Sequence, residues 1–307
     1  MSAPQIIAGP AVIQFGGNSY YSEGDITLNL NRETFNVVTA MGGKIDERLV
    51  AQMVEVKFKC AGALDTVAKY LPYVVASIGK LLINQASPTP LTIWGLDGVK
   101  NIWSNAFISA LPKFTLAANK SALGDMTITA LGDPTKTLVD AAAWNTISSA
   151  ALTDATFDDT KLVTSAYTAA WGGSPFASMV AEDDFSFEPV IGIAMKKVAN
   201  YGNVNAMLTD LTVGCRFKPA NLTEAQMWTL LNLQGSGAIQ PGMSVSGGST
   251  SLVITGGTAT FTMPNAGPKS AATAYGLAPL RQGEVLFVNR KTWTAGVVNA
   301  PLTIAFS

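Results

Sequence analysis

Residues 25–61 of this chain recur without a gap at residues 184–220, 159 positions downstream. Asp25-Ile-Thr-Leu28 returns as Asp184-Phe-Ser-Phe187. Val54-Glu-Val-Lys-Phe-Lys-Cys-Ala61 returns as Val213-Gly-Cys-Arg-Phe-Lys-Pro-Ala220. Eight of the 37 positions are identical: Asp25, Ala40, Gly43, Leu49, Val54, Phe58, Lys59 and Ala61. The same offset carries Asp65 to Glu224, Leu71 to Leu230, Asp97-Gly98 to Gly256-Gly257 and Ile102 to Phe261. It also carries Gly124-Asp-Met-Thr-Ile-Thr129 to Gly283-Glu-Val-Leu-Phe-Val288. Upstream, Phe15-Gly-Gly17 aligns with Trp171-Gly-Gly173 at an offset of 156. A repeat constrains a fold more than any local motif, because each copy must build the same supersecondary unit. It divides the 307 residues near 150, giving expected units 1–150 and 151–307, in line with the two domains that length suggests.

Alternation of apolar and polar residues dominates each copy and predicts strands. Ala11–Phe15 reads as a short strand, followed by a turn at Gly16-Gly17-Asn18. From Asp25 to Leu30, Ile26, Leu28 and Leu30 share one face. Asn31-Arg32 is expected to turn the chain into a second strand, Thr34–Thr39, and Met41–Arg48 to form an exposed loop. Met53–Cys60 is the clearest strand, with Val54, Val56, Phe58 and Cys60 on one face and Glu55, Lys57 and Lys59 on the other. Leu64–Leu71 predicts a helix capped by Asp65 or Thr66 and disrupted at Pro72, with Tyr73–Leu82 as a continuation. Leu91–Trp94 and Val99–Trp103 read as a hairpin about Asp97-Gly98. Phe107–Leu116 reads as one extended stretch, then a turn at Asn119–Gly124 and a strand at Asp125–Leu131. The second copy repeats this order: strands at Asp184–Pro189 and Leu211–Phe217, a helix at Thr223–Leu231, a hairpin about Gly256-Gly257 and a strand at Glu284–Asn289. The stretch from Gly132 to Thr153 is the expected connection, its alanines offering a short helix instead. The fold class is therefore mainly β, with two tandem β-sandwich or β-barrel units, each flanked by one helix.

Composition excludes several function classes. Only 13% of residues are charged and the net charge is −1, which gives no basis for tight nucleic-acid binding. Hydrophobic residues make up 48%, yet no apolar run reaches the roughly 18 residues a membrane helix needs. No secretory leader is expected from the Met1-Ser-Ala-Pro start. A chain this poor in charge either fills a large core or covers its surface with other subunits. Histidine is absent, which removes the commonest acid–base group near neutral pH. Cys60 and Cys215 occupy non-equivalent points of the two copies among alternating apolar residues, and read as buried thiols of a reducing compartment.

No motif compels an enzyme or a cofactor. Glu182-Asp-Asp-Phe and Asp158-Asp159 are adjacent carboxylates without the spacing of a calcium loop. They read as solvated loop charge. Lys57 and Lys59, with Arg216 and Lys218, form matched basic faces. Such residues line a groove near a polyanion or, more often, a solvated strand face. Trp94, Trp103, Trp171 and Trp228 are scattered, as packing residues are.

Gly9-Pro-Ala-Val-Ile-Gln-Phe-Gly, Gly24-Asp-Ile-Thr-Leu, Gly42-Gly-Lys-Ile-Asp-Glu and a strand ending Lys57-Phe-Lys before a helix resemble the tail tube protein of tailed bacteriophages. So do Ser104-Asn-Ala-Phe-Ile-Ser-Ala-Leu-Pro-Lys-Phe-Thr-Leu and Lys120-Ser-Ala-Leu-Gly-Asp-Met-Thr-Ile-Thr-Ala-Leu-Gly. The resemblance spans about 9–132, and the second copy through the repeat. It implies a virion structural protein, made in the host cytoplasm, whose units surround a lumen six to a ring. Rings stack into a tube that DNA and a tape measure protein pass through, ended by tail-tip and terminator proteins. A near-neutral or acidic lumen wall suits DNA passage. Two units per chain then imply rings of three chains with pseudo-sixfold symmetry. The resemblance also implies inter-ring stacking loops: Met41, Gly42, Gly43, Lys44, Ile45, Asp46, Glu47 and Arg48 in the first copy, and Asn200, Tyr201, Gly202, Asn203, Val204 and Asn205 in the second. Alternatives are another tail ring component, at the tip or terminator, or a duplicated carbohydrate-binding β-sandwich.

Overall fold

A computed structural model describes residues 5–7, 11–84, 86–95, 98–117, 120–132, 145–149, 166–198, 202–230, 250–257, 259–274, 282–289, 293–294 and 297–306. The first half contributes β1 (Gln5–Ile7), β2 (Val12–Phe15), β3 (Asn18–Tyr21), β4 (Ile26–Thr39), β5 (Gly43–Lys59) and α1 (Ala63–Ser77). It continues with β6 (Leu91–Trp94), β7 (Val99–Trp103), β8 (Asn105–Ala110), β9 (Phe114–Ala117), β10 (Lys120–Leu123), β11 (Asp125–Leu131) and β12 (Asn145–Ser149). The second half contributes β13 (Thr168–Trp171), β14 (Met179–Val180), β15 (Phe185–Val198), β16 (Gly202–Phe217) and α2 (Glu224–Leu230). After these come β17 (Leu252–Thr255), β18 (Ala259–Met263), β19 (Ala266–Ala274), β20 (Gln282–Asn289), β21 (Trp293–Thr294), β22 (Val297–Val298) and β23 (Thr303–Phe306). The fold is mainly β.

Strand order is the same in the two halves. One sheet of the first half runs β1-β4-β5-β11-β8, and its counterpart contains β15-β16-β20-β19. The opposing sheets run β12-β7-β6-β2-β3 and β23-β18-β17-β13-β14. Register repeats as well. The β4–β5 hairpin shifts between Glu33 and Thr34 and between Val37 and Val38. The β15–β16 hairpin shifts between Gly192 and Ile193 and between Lys196 and Lys197, each 159 positions on. Gly43 and Gly202 close the two hairpins with φ of 62° and 70°, a left-handed backbone that glycine adopts without penalty. In the opposing sheets, Leu91 faces Trp103 and Leu252 faces Met263, so that hairpin sits one or two residues further on than the offset of 159 implies. Register there sets Thr262, not Phe261, at the place of Ile102.

Several expectations are corrected. Asn31-Arg32 is no turn: β4 runs unbroken from Ile26 to Thr39, with Asn31 paired to Met53 and Arg32 to Gln52. Cross-strand pairing outweighs the weak turn signal. Met41–Arg48 is not a loop either, because β5 begins at Gly43 and only Ala40–Gly42 turn. The strands of the second hairpin likewise run far past Pro189 and start well before Leu211. Phe107–Leu116 breaks at Leu111–Lys113, where Pro112 interrupts the ladder. Asn119–Gly124 contains β10 rather than only a turn. Asn145–Ser149, inside the expected connection, is a strand paired with β7. The alanines at 141–143, and the division near 150, lie outside the described residues.

Helix α1 runs through Pro72. Losing one backbone bond there costs about 3 kcal/mol. The buried stripe Leu64, Val67, Tyr70, Leu71 and Val74 continues across it, and each such side chain recovers about 2 kcal/mol. Neither Asp65 nor Thr66 caps it. Gly62 occupies that position, Thr66 donates its hydroxyl to the Ala61 carbonyl at 2.9 Å, and Asp65 pairs with Lys69. Helix α2 starts as expected on Thr223. Gln226 N donates to Thr223 Oγ1 at 3.3 Å and Thr223 N to Gln226 Oε1 at 2.8 Å, a reciprocal capping box.

The buried side chains of both halves form one contiguous core. The joint is β9, which leaves the first half after Pro112 and pairs with β15, Phe114 opposite Phe187. Those two rings stack with centroids 4.6 Å apart, and Phe187 lies 5.3 Å from Phe261. Cys60 and Cys215 are buried free thiols. Burial pushes both thiols up, as it does the phenols of Tyr20 and Tyr70, and takes Tyr73 up to about 12. Because these folded-state values are raised, the stability tied to the neutral forms is whole below the ordinary thiol range. It is lost as pH rises through and above that range. The urea midpoint is expected to fall steadily between pH 8 and pH 11, with thiol reagents reaching neither cysteine in the folded protein at pH 8. A flat midpoint over that range contradicts this.

Candidate assembly surface

The surface most shaped by the repeat is the face of the long sheets opposite the core, together with the two long hairpins. Alternation along β4 and β5 turns Asn31, Glu55, Lys57 and Lys59 outward while Val54, Val56 and Phe58 point into the core. Three of the basic residues there, Lys57, Lys59 and Arg216, are matched by carboxylates. Lys57 Nζ lies 2.8 Å from Asp125 Oδ2 and Lys59 Nζ 2.5 Å from Glu23 Oε2. Arg216 pairs with Glu284 and approaches Glu188, which Lys113 Nζ also reaches at 3.1 Å. Asn31 Nδ2 donates to Glu55 Oε2 at 2.9 Å. Hydrogen bonding to these carboxylates, then their charge, raises the Lys57 and Lys59 values. The bond to Glu284 does the same for Arg216.

Lys57–Asp125 and Arg216–Glu284 are the same pair in the two copies. Exposed pairs of this kind add about 0–1 kcal/mol. Their main consequence is charge cancellation, which leaves little attraction for phosphate. The matched basic faces therefore exist, but Lys57, Lys59 and Arg216 each stand beside an acid. The carboxylates Asp125 and Glu284 are the partners that the strand-face reading missed. Their shared offset was the available signal.

The two hairpins are equivalent in register and opposite in environment. In the first, Met41, Gly42, Gly43, Lys44, Ile45, Asp46, Glu47 and Arg48 are all exposed. The apolar side chains Phe35, Val38, Met41 and Ile45 are 51%, 64%, 101% and 58% exposed. Short-range polar contacts hold the tip. Lys44 Nζ meets Glu47 at 2.7 Å, Arg48 Nε meets Asp46 Oδ2 at 3.1 Å, and Thr34 donates to Glu47. The bond from Lys44, then that from Thr34, holds the Glu47 carboxyl below its ordinary range.

In the second hairpin, Gly202, Asn203, Val204 and Asn205 are buried, whereas Asn200 and Tyr201 lie outside the described residues. The segment after α1 closes that hairpin's outer edge. Gly79 N donates to Leu208 O at 2.8 Å, Leu82 N to Ala206 O at 2.7 Å, and Leu208 N to Lys80 O at 3.2 Å. Asn205 clasps Ile83, accepting from its N–H at 3.1 Å and donating to its carbonyl at 2.8 Å. Lys197 pairs with Glu33 at 2.5 Å. The two predicted loops thus share a place in the hairpin and not a place on the surface.

Gly202 sits at the seam between hairpins. A Cβ there would come within 2.7 Å of the Val50 carbonyl and 2.9 Å of Ala51 Cα, whereas one on Gly43 meets nothing within 4 Å. Gly43→Ala is expected to lose only the left-handed strain, about 1 kcal/mol. Gly202→Ala adds a backbone clash and is expected to lose roughly 2 kcal/mol more. Equal losses in urea unfolding would sink this reading of the seam.

Among the described residues no group of three or more metal-binding side chains converges, and Asp158-Asp159 lie outside them. No helix of the described residues is long and apolar enough to cross a membrane. No family model matches the sequence, and no curated protein matches it.

Proposed function

We propose that the chain is a structural subunit that assembles head to tail into rings, and that the rings stack into a hollow tube like that of a phage tail. One observation carries this reading. The second half repeats the strand order of the first and docks beside it through β9 on β15. The ends of the pair are therefore unlike: the β1 end of the first half and the β19 end of the second. Unlike ends that repeat make heterologous contacts, which close into rings or run on as filaments. Two halves per chain make a six-unit ring from three chains. The outward sheet face, with Lys57, Lys59 and Arg216 cancelled by neighbouring acids, suits a wall that DNA passes without sticking. Tape measure, tip and terminator proteins are the partners this reading brings with it. Negative-stain microscopy of the purified protein tests it: hollow filaments or rings support the proposal, and monodisperse monomers at every concentration reject it.

A further inference from the structure

The bare edge of the first hairpin has a precedent inside the same molecule. Where β20 ends alongside β16, the segment Ile78–Ile83 takes over that edge through isolated bridges and backbone bonds to Ala206 and Leu208. The counterpart of β20 in the first half, β11, ends opposite Met53. Among the described residues nothing pairs with that edge of β5 between Gly43 and Leu49. Leu49 faces Thr34 across the hairpin as Leu208 faces Ile193. Its N–H and C=O therefore point away from β4, as those of Leu208 point away from β15. Open backbone edges of this sort are templates for pairing with another chain.

A side chain beside the edge is already posed. Asp46 is the counterpart of Asn205. Its Oδ1 accepts from Glu47 N at 2.8 Å, as Asn205 Oδ1 accepts from Ala206 N at 2.8 Å. In the second hairpin that same Oδ1 also takes the N–H of Ile83. The Asp46 oxygen has the same place from which to take a backbone N–H of an incoming segment.

We infer that the outer edge of β5, at Glu47 and Leu49 beside Asp46, is the docking strip for a second copy of this chain, which enters with its second half as the first half enters on β16. The occupant follows from direction. Within one chain, the second half sits at the β8 end of the first half's sheet, through β9, and the hairpin that leans back for cover belongs to the later half. By the shared register the first hairpin is expected to lean the same way within its own half, toward the β1 end of the sheet, where no half of its own chain lies. The occupant is thus the second half of the preceding copy. The inference rests on the self-assembly reading and specifies its contact.

Site-resolved amide exchange tests it without altering the protein. In dilute monomer the Leu49 amide should exchange freely while the Leu208 amide is protected. In the assembled protein Leu49 should slow at least tenfold, with Leu208 unchanged. Leu49→Pro removes the outward N–H at an edge position where proline is tolerated. It is expected to weaken self-association at least tenfold in sedimentation velocity, with the circular dichroism of the monomer retained. Leu49 exchanging equally fast in intact assemblies, or already protected in the monomer, overturns the docking strip and leaves the self-assembly reading standing. Wild-type protein that stays monomeric overturns both.

Discussion

Phe187→Ala is expected to cost about 4 kcal/mol of folding stability, the largest single loss among the substitutions considered. The ring is fully buried, stacks on Phe114 of β9 and packs against Phe261 of the opposing sheet. One side chain therefore joins β9 of the first half to both sheets of the second. Removing it opens a cavity at the junction, which the surrounding strands cannot collapse without breaking the ladder between Phe185–Phe187 and Phe114–Leu116. Loss should appear as a drop in urea midpoint with one cooperative transition, because the core is contiguous. Two separated transitions, or a loss under about 1.5 kcal/mol, the range of volume-conserving swaps, would contradict the junction.

Asn205→Ala should cost about 3 kcal/mol, through hydrogen bonding rather than packing. The side chain is 3% exposed and Ile83 2%, so deleting the amide strands the Ile83 N–H and carbonyl out of reach of water. Each buried unsatisfied group costs about 1–3 kcal/mol. The loss should be localised. Amides of Gly79, Leu82 and Leu208, which bond across this seam, should exchange faster, while those of β5 facing β11 stay slow. Uniform change across the protein would show that Asn205 does not fasten the second hairpin in particular.

The repeat made much of this architecture legible. Matching residues such as Val54–Phe58 and Val213–Phe217 correspond in strand, register and face, because alternation must bury the same side chains in each copy. Cys60 and Cys215 follow from the same alternation. What was not legible depends on backbone pairing, which leaves little side-chain pattern. Nothing in Lys80-Leu81-Leu82 announces that it will close the edge of β16, and nothing in Phe114-Thr-Leu announces that it will join β15. Pro112 was the one local sign that the ladder breaks before Phe114. The hairpin residues 41–48 and 202–205 could be paired by sequence. Their opposite exposures could not, since covering one and baring the other is a property of how the halves dock. Charge hints at the difference in hindsight: Lys44, Asp46 and Glu47 stand where Asn203, Asn205 and Ala206 are buried.

The most direct test of the account is an averaged cryo-electron microscopy projection of the assembled protein along its axis, paired with native mass of a single ring. Three chains per ring are expected, showing six near-equivalent lobes with two alternating kinds of contact. Six chains in a ring, or lobes that are all identical, would contradict it.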